Sequence, residues 1–355
     1  MTLPFISNSE KRAVLRVLES KQLVQGKQVS KFEKSFTRVA GTKFSVALNS
    51  GTSALHAGLL ASGVGPGDEV IVPSFTFAAS ANSISLTGAK PIFADVDINT
   101  YCIDPIHIEE LITKKTKGIM PVHLFGNSAN MTEIVKIAKK HRLEIYEDAA
   151  QAHGAKHNGT LVGSFGKFGV FSFYPTKNVM AIEGGIVSTN DSEIQYQVKL
   201  LRNQGMIKQY YHELVGYNYR LSEVHAAVGN IQLKRLQKFT RRRIEIAKYY
   251  DINLTNCIVP YRPASNKHVY NQYTVRLPDL DRDRVANELI KKKIATKVYY
   301  PIPTHAQRAY QSKIDLPVTN ALSGQVLSLP IHPNLTANEQ DFVIENFNKI
   351  TSVGY

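Results

Sequence analysis

Lys177 lies in the run Ser172-Phe-Tyr-Pro-Thr-Lys177-Asn, about thirty residues after Glu147-Asp148-Ala-Ala-Gln151-Ala-His153-Gly154. An amine, a carboxylate that ends an apolar run and a hydroxyl five residues before the amine are parts of one chemistry. The amine bonds an aldehyde, the carboxylate keeps a pyridine nitrogen protonated, and the hydroxyl meets a phosphate. A lone lysine carries no such message, since most lysines are solvated surface charges. With these neighbours the cofactor implied is pyridoxal phosphate.

Such a cofactor also needs a phosphate cradle and a flat apolar surface against its ring. Asp148 closes Leu143-Glu-Ile-Tyr-Glu-Asp, and the carboxyl end of a parallel strand is where open α/β sheets bind ligands. Alone, Asp148 reads as a turn or cap aspartate. Asn49-Ser-Gly51-Thr52-Ser53 follows a strand and opens a helix, so backbone N–H groups and hydroxyls form a ready anion site. The same Ser-Gly-Thr-Ser is also a common helix cap. Ser172 supplies another phosphate contact or serves as a polar filler in its strand. Phe75 and Phe77 follow Pro73-Ser74 just past a strand. Aromatics there are usually core, yet the cofactor ring needs a stacking partner.

The elements that must position these groups alternate in type. Val46–Leu48, Glu69–Val72, Pro91–Ala94, Gly118–Val122, Leu143–Tyr146, Val170–Phe173 and Gly185–Ser188 read as buried strands. Helices are predicted over 53–62, 78–87, 106–112 and 132–141, which implies parallel strands joined by crossover helices. The strands near 170–188 follow one another without a helix and predict an antiparallel pair. Ser30-Lys-Phe-Glu33 reads as a capping box, with Phe32 and Phe36 on one face of the helix after it. One long helical stretch is predicted from Ser222 to Leu254, then a strand at 271–276, a helix at 283–292 and an extended 298–303. The fold class expected is α/β, with a mostly parallel seven-stranded sheet between helices over residues 1–240 and a smaller α+β domain over 241–355.

Composition narrows the class. At 355 residues, 43% hydrophobic and 20% charged, the chain is an ordinary globular protein. Cys102 and Cys257 are its two cysteines, too few for a disulfide framework or a thiolate metal cluster, so no metal site is expected and a reducing cytoplasm is. The start lacks the pattern of a signal peptide, and no apolar run approaches the roughly 18 residues that span a membrane. The net charge of +14 calls for an anionic partner. Lys114-Lys115, Lys139-Lys140, Arg241-Arg242-Arg243 and Lys291-Lys292-Lys293 are short, scattered and set in helical patterns, so they read as solvated helix faces. No nucleic-acid-binding signature accompanies them. Small phosphorylated ligands satisfy the same charge.

Taken together, the chain resembles the DegT/DnrJ/EryC1/StrS family of sugar-nucleotide aminotransferases, within fold-type I of the pyridoxal phosphate enzymes. The resemblance runs nearly end to end. Its blocks include Gly26-Lys-Gln-Val-Ser-Lys-Phe-Glu33, Asn49-Ser-Gly-Thr-Ser-Ala-Leu55, Gly65-Pro-Gly-Asp-Glu-Val70, Pro73-Ser-Phe-Thr-Phe-Ala78 and Gly88-Ala-Lys-Pro91. They continue through Glu147–Ala152, Phe171–Asn178, Gly216-Tyr-Asn-Tyr-Arg-Leu221, Tyr300-Pro-Ile-Pro303 and Leu327-Ser-Leu-Pro-Ile-His-Pro333.

By that resemblance, Lys177 bonds the cofactor and Asp148 pairs with its pyridine nitrogen. Phe77 stacks on the ring, Gln151 packs near the ring hydroxyl, and Gly51, Thr52 and Ser172 contact the phosphate. Asn218 reaches the phosphate of a partner subunit, which implies a homodimer with shared active sites. The substrates implied are L-glutamate and a dTDP- or UDP-linked keto-sugar, aminated at C3 or C4 for a surface polysaccharide or glycosylated metabolite. Arg220, Tyr299, His305 and Arg308 lie in substrate-facing segments. Lysine at position 177 favours transamination over the dehydration catalysed by relatives with histidine there. A desulfurase-type lyase would want a cysteine in a mobile loop, which neither Cys102 nor Cys257 suggests. A non-catalytic regulatory relative with a decayed pocket is opposed by the intact Lys177, Asp148 and Ser172. One departure stands beside the lysine: the family often has glycine where Met180 and Ile182 occur.

Overall fold

The computed structural model describes residues 4–310 and 312–352. Its centre is a seven-stranded sheet of Phe44–Leu48 (β1), Glu69–Pro73 (β2), Lys90–Ala94 (β3), Thr116–Ile119 (β4), Glu144–Asp148 (β5), Phe168–Ser172 (β6) and Gly185–Thr189 (β7). The strand order is β1-β7-β6-β5-β4-β2-β3. β7 runs antiparallel to both neighbours, and the other pairings are parallel. All seven predicted strands are present, including the antiparallel return near 185. The strands are apolar almost without interruption because both faces are covered.

Alternate residues go to opposite faces. On one side Val70, Val72, Tyr146 and Val170 pack with Leu55 and Leu59 of the helix Gly51–Ala61 (α3) and with Ile194 and Val198 of Ser192–Arg202. On the other, Ile71, Ile119 and Ile145 meet Ile134 and Ile137 of Met131–His141. Phe171 and Ile186 meet Phe32 and Phe36 of the helix Lys27–Ala40 (α2) on that side too.

The start of α2 departs from the expected capping box. Ser30 lies inside the helix, and the N-cap, Gly26, has no side-chain cap. The carboxylate of Glu223 accepts instead from the backbone N–H of Gly26, Gln28 and Val29, each at 2.8 Å. Glu33, freed from capping, accepts from Ala47 N and pairs with Arg202 at 2.6 Å.

The predicted long helix is two, Glu223–Leu233 and Leu236–Asn253. The elbow between them is pinned by Arg235, whose guanidinium bonds Glu10 and Ser7 at the start of the first helix, Asn8–Ser20 (α1). The two halves serve different cores. Ala226 and Leu236 belong with Phe32 and Phe36. Ile246 and Tyr250 belong with Val275, Leu289, Leu327 and Phe347. In that second core Tyr273–Arg276 (β8) pairs antiparallel with Val326–Leu329 (β9). Leu316 and Leu322 return to the cores of the large sheet.

Candidate active site

The carboxyl ends of β5 and β6 bring together the groups singled out by the sequence. Asp148 is the last residue of β5 and is buried. Its Oδ2 accepts from Ser80 Oγ at 2.7 Å and its Oδ1 from Ala150 N at 3.0 Å. Thr76 Oγ1 lies 3.1 Å from Ser80 Oγ and fixes that hydroxyl. The preceding residue, Glu147, locks the strand end from behind. Its carboxylate accepts from the N–H of Gly163, Phe165 and Gly166 and meets His123 Nε2 at 3.0 Å. Ala129 N donates to His123 Nδ1, so the imidazole proton sits on Nε2 and points at Glu147.

Lys177 follows β6 in a turn closed by its own N–H to Tyr174 O at 2.9 Å. The residue is half-buried. Loss of hydration brings its ammonium down to about 8, against a smaller opposing pull from Asp148. His153, which feels the Lys177 charge, is enclosed by Phe36, Phe171 and Phe173, and burial above all pushes it down to about 3.

The helix start is built as an anion cradle. Ser50 caps α3, its Oγ accepting from Ser53 N at 3.1 Å. The N–H groups of Gly51 and Thr52 are left as unused donors of the first turn. Ser172 lies against Gly51 so closely that a Cβ there would sit 3.1 Å from Ser172 Cβ. A Cβ at Gly185 would come within 2.1 Å of Ser50 O, so the absence of a side chain at 185 lets α3 dock on the sheet.

Phe77 is 60% exposed, an unusual state for a phenylalanine just past a buried strand, and its ring lies 6.3 Å from Tyr300. Phe75, by contrast, is core. Gln151 is buried, accepting from Phe125 N at 2.7 Å and donating to Tyr300 Oη at 3.3 Å. These observations together test the fit of pyridoxal phosphate. Free helix N–H groups beside a serine, an amine of lowered basicity, an oriented carboxylate and an uncovered aromatic face are what that group requires, and the residues fit it.

The remaining predicted residues are spread more widely. Asn218 is exposed, and its carbonyl accepts from Asn49 Nδ2 at 3.4 Å beside the cradle. Arg220 bridges to Leu48 through its backbone and donates to Asn203 Oδ1 at 3.0 Å. Tyr299 is half-buried, 6.5 Å from Phe125. His305 is turned inward: it is buried, with Nδ1 2.6 Å from Ser74 Oγ. Arg308 is exposed.

Residue type alone gives Ser80 and Tyr300 no role in the sequence. Ser80 has one signal, the Thr76-to-Ser80 spacing of one helical turn. Of the neighbouring pair Tyr299 and Tyr300, it is Tyr300 that touches both Gln151 and Phe77. At the family departure, Ile182 has φ 69°, a left-handed conformation that glycine adopts freely and a β-branched residue only with strain. Its N–H donates to Met180 Sδ at 3.3 Å.

Comparison with known proteins identifies a family. The model of the DegT/DnrJ/EryC1/StrS aminotransferase family matches residues 4–348. The chain is 42% identical over 343 residues to the dTDP-3-amino-3,6-dideoxy-alpha-D-galactopyranose transaminase of Aneurinibacillus thermoaerophilus, covering 95% of this chain and 94% of that one. It is 40% identical over 364 residues to a pleiotropic regulatory protein of Geobacillus stearothermophilus, covering 97% of each. The crystal structure of S. venezuelae DesV in complex with a ketimine intermediate superimposes with a TM-score of 0.94 at 35% identity, covering 100% of both chains.

Proposed function

The chain belongs to the DegT/DnrJ/EryC1/StrS aminotransferase family, and on that premise we propose that it moves an amino group from L-glutamate to C3 or C4 of a dTDP- or UDP-linked keto-sugar. It is a pyridoxal phosphate-dependent sugar-nucleotide aminotransferase of amino-sugar biosynthesis. When bound, pyridoxal phosphate withdraws electrons from the carbon bearing the amine, so that a proton there can be removed.

The chain's own residues divide the remaining work. Asp148, oriented by Ser80 and Ala150, would hold the pyridine nitrogen. Gly51, Thr52 and Ser172 would hold the phosphate, Phe77 the ring face, and Gln151 the ring hydroxyl. Lys177 would attach the group and then, as a free amine, carry the proton at Nζ. An ammonium brought down to about 8 leaves roughly a tenth of the amine free at pH 7, far more than an ordinary lysine, which suits an acid and base in one residue. Arg220, Tyr299 and Arg308 would face the substrate, with His305 positioning Ser74 behind them.

Asn218 would enter the site of a second copy. Beside it, the hairpin of Met206–Lys208 and Tyr211–His212 exposes Ile207, Tyr210 and Tyr211, and Val215 just past it is exposed too. An apolar surface of this kind fits a partner subunit. No helix among the described residues is long and apolar enough to cross a membrane, and a cytoplasmic enzyme is the reading we favour.

The observation that carries the proposal is the desolvated Lys177 amine beside the oriented Asp148 carboxylate. Lys177→Ala is expected to abolish both the visible absorption band of the purified protein and turnover with glutamate and a panel of 3-keto and 4-keto sugar nucleotides. Retention of both would sink the assignment. A regulatory relative with no chemistry would keep the band yet turn over no member of the panel.

A further inference from the structure

A cleft of about 700 Å³ opens between the end of α2, the hairpin around Gly154–Leu161 and the elbow between the two helices at 233–236. Small-ligand sites run from about 300 to 1,000 Å³. None of the residues assigned to the cofactor lines it. Arg38, Lys156, Lys234, Arg241 and Lys267 do, and no acidic side chain joins them. The ion pairs among the described residues use other cations, so all five charges stand uncompensated.

Two of these charges are forced together. Lys267 and Lys156 are directly opposed in an antiparallel ladder, where like charges repel. Burial and then Lys156 hold the Lys267 ammonium below its usual range. Arg241 is also distinct within its run of three arginines. Arg242 donates to Leu335 O, and Arg243 is spent on Tyr270 O and Ile331 O. Arg241 is the one that faces the cleft.

Below the charges the wall is apolar, formed by Val39, Leu161, Leu233 and Leu236.

We propose that this cleft is a second ligand site, for a nucleoside diphosphate separate from the substrate. The diphosphate sits among Lys156, Lys267 and Arg241, relieving the cross-strand repulsion. The base lies on the apolar wall of Val39, Leu161, Leu233 and Leu236. A concavity of this size takes one nucleotide, whereas a nucleic-acid strand needs an extended track.

Lysine acetylation followed by mass spectrometry reads the site directly in the cofactor-loaded protein, with UDP as the probe. Acetylation of Lys156 and Lys267 is expected to slow about tenfold once UDP reaches about ten times its Kd, while the distant Lys114 and Lys115 react unchanged. Calorimetry supplies the second readout. The double variant Lys156→Gln, Lys267→Gln should bind one fewer UDP per chain than the parent, keeping any UDP held near Lys177. Unchanged acetylation at saturating UDP, or equal stoichiometry in parent and variant, overturns the proposal. So does protection by inorganic pyrophosphate as strong as by UDP, because the base then contributes nothing.

Discussion

Lys177 does its proposed chemistry at the expense of the fold that holds it. Its ammonium stands near 8 in the folded chain against 10.5 for the unperturbed side chain. The unfolded chain therefore binds more protons between those values, and stability rises with pH across that window. Below about pH 8 the full penalty is present, and above about 10.5 it has vanished. Lys177→Met, which keeps the length without the charge, is expected to stabilise the cofactor-free protein at pH 7. Discounted for partial exposure, the gain is about 2 kcal/mol. Urea unfolding at several pH values should show that gain shrink from pH 8 upward, and a gain independent of pH would show that desolvation of the amine is not its source. At this scale the sequence was most legible where function depends on residue type. Lys177, Asp148 and Ser172 are brought to one place, as their spacing around two strand ends implied. Ser80 and Tyr300 were hidden because their partners lie 68 and 149 residues away. Choosing Tyr300 over Tyr299 depends on which way each ring points, which spacing does not reveal.

Elements were legible where burial repeats along the chain and illegible where a single distant contact decides. Seven apolar runs became seven strands, yet their order across the sheet comes from crossovers that no local pattern records. The capping box at Ser30 failed for the same reason. Three N–H groups at the start of α2 are satisfied by Glu223, nearly two hundred residues on. That carboxylate sits at the start of its own helix, where a negative charge is also favoured. Glu223→Ala leaves three donors short of a partner and is expected to cost about 3 kcal/mol, read by urea unfolding. Glu223→Gln keeps one accepting oxygen and should cost less. An Ala variant as stable as the parent would mean that water caps α2 equally well.

For the whole molecule, the proposed dimer makes a test that no single subunit can imitate. If Asn218 serves the partner's cofactor, Lys177→Ala and Asn218→Ala damage different subunits of the same site. Mixing the two inactive proteins under conditions of subunit exchange would then place both lesions in one site and leave the other intact. Activity should return to about half of the parent value per mixed dimer, and to about a quarter overall with random exchange, as closed two-fold symmetry dictates. No recovery after verified exchange would return Asn218 to its own subunit. The excess positive charge, a scattered property in the sequence, becomes local in the fold: Arg241 and Lys267 share a cleft only because the elbow at Arg235 turns the chain back over the hairpin at Lys156.

The uncovered ring of Phe77 has an optical consequence. The chain contains no tryptophan, so its ultraviolet emission is dominated by tyrosine. An indole placed at position 77 would be the sole fluorophore of its kind in the protein, seated at the mouth of the pocket and quenched by whatever lies flat upon it. Filling and emptying of the site could then be followed in real time by light from one atom group.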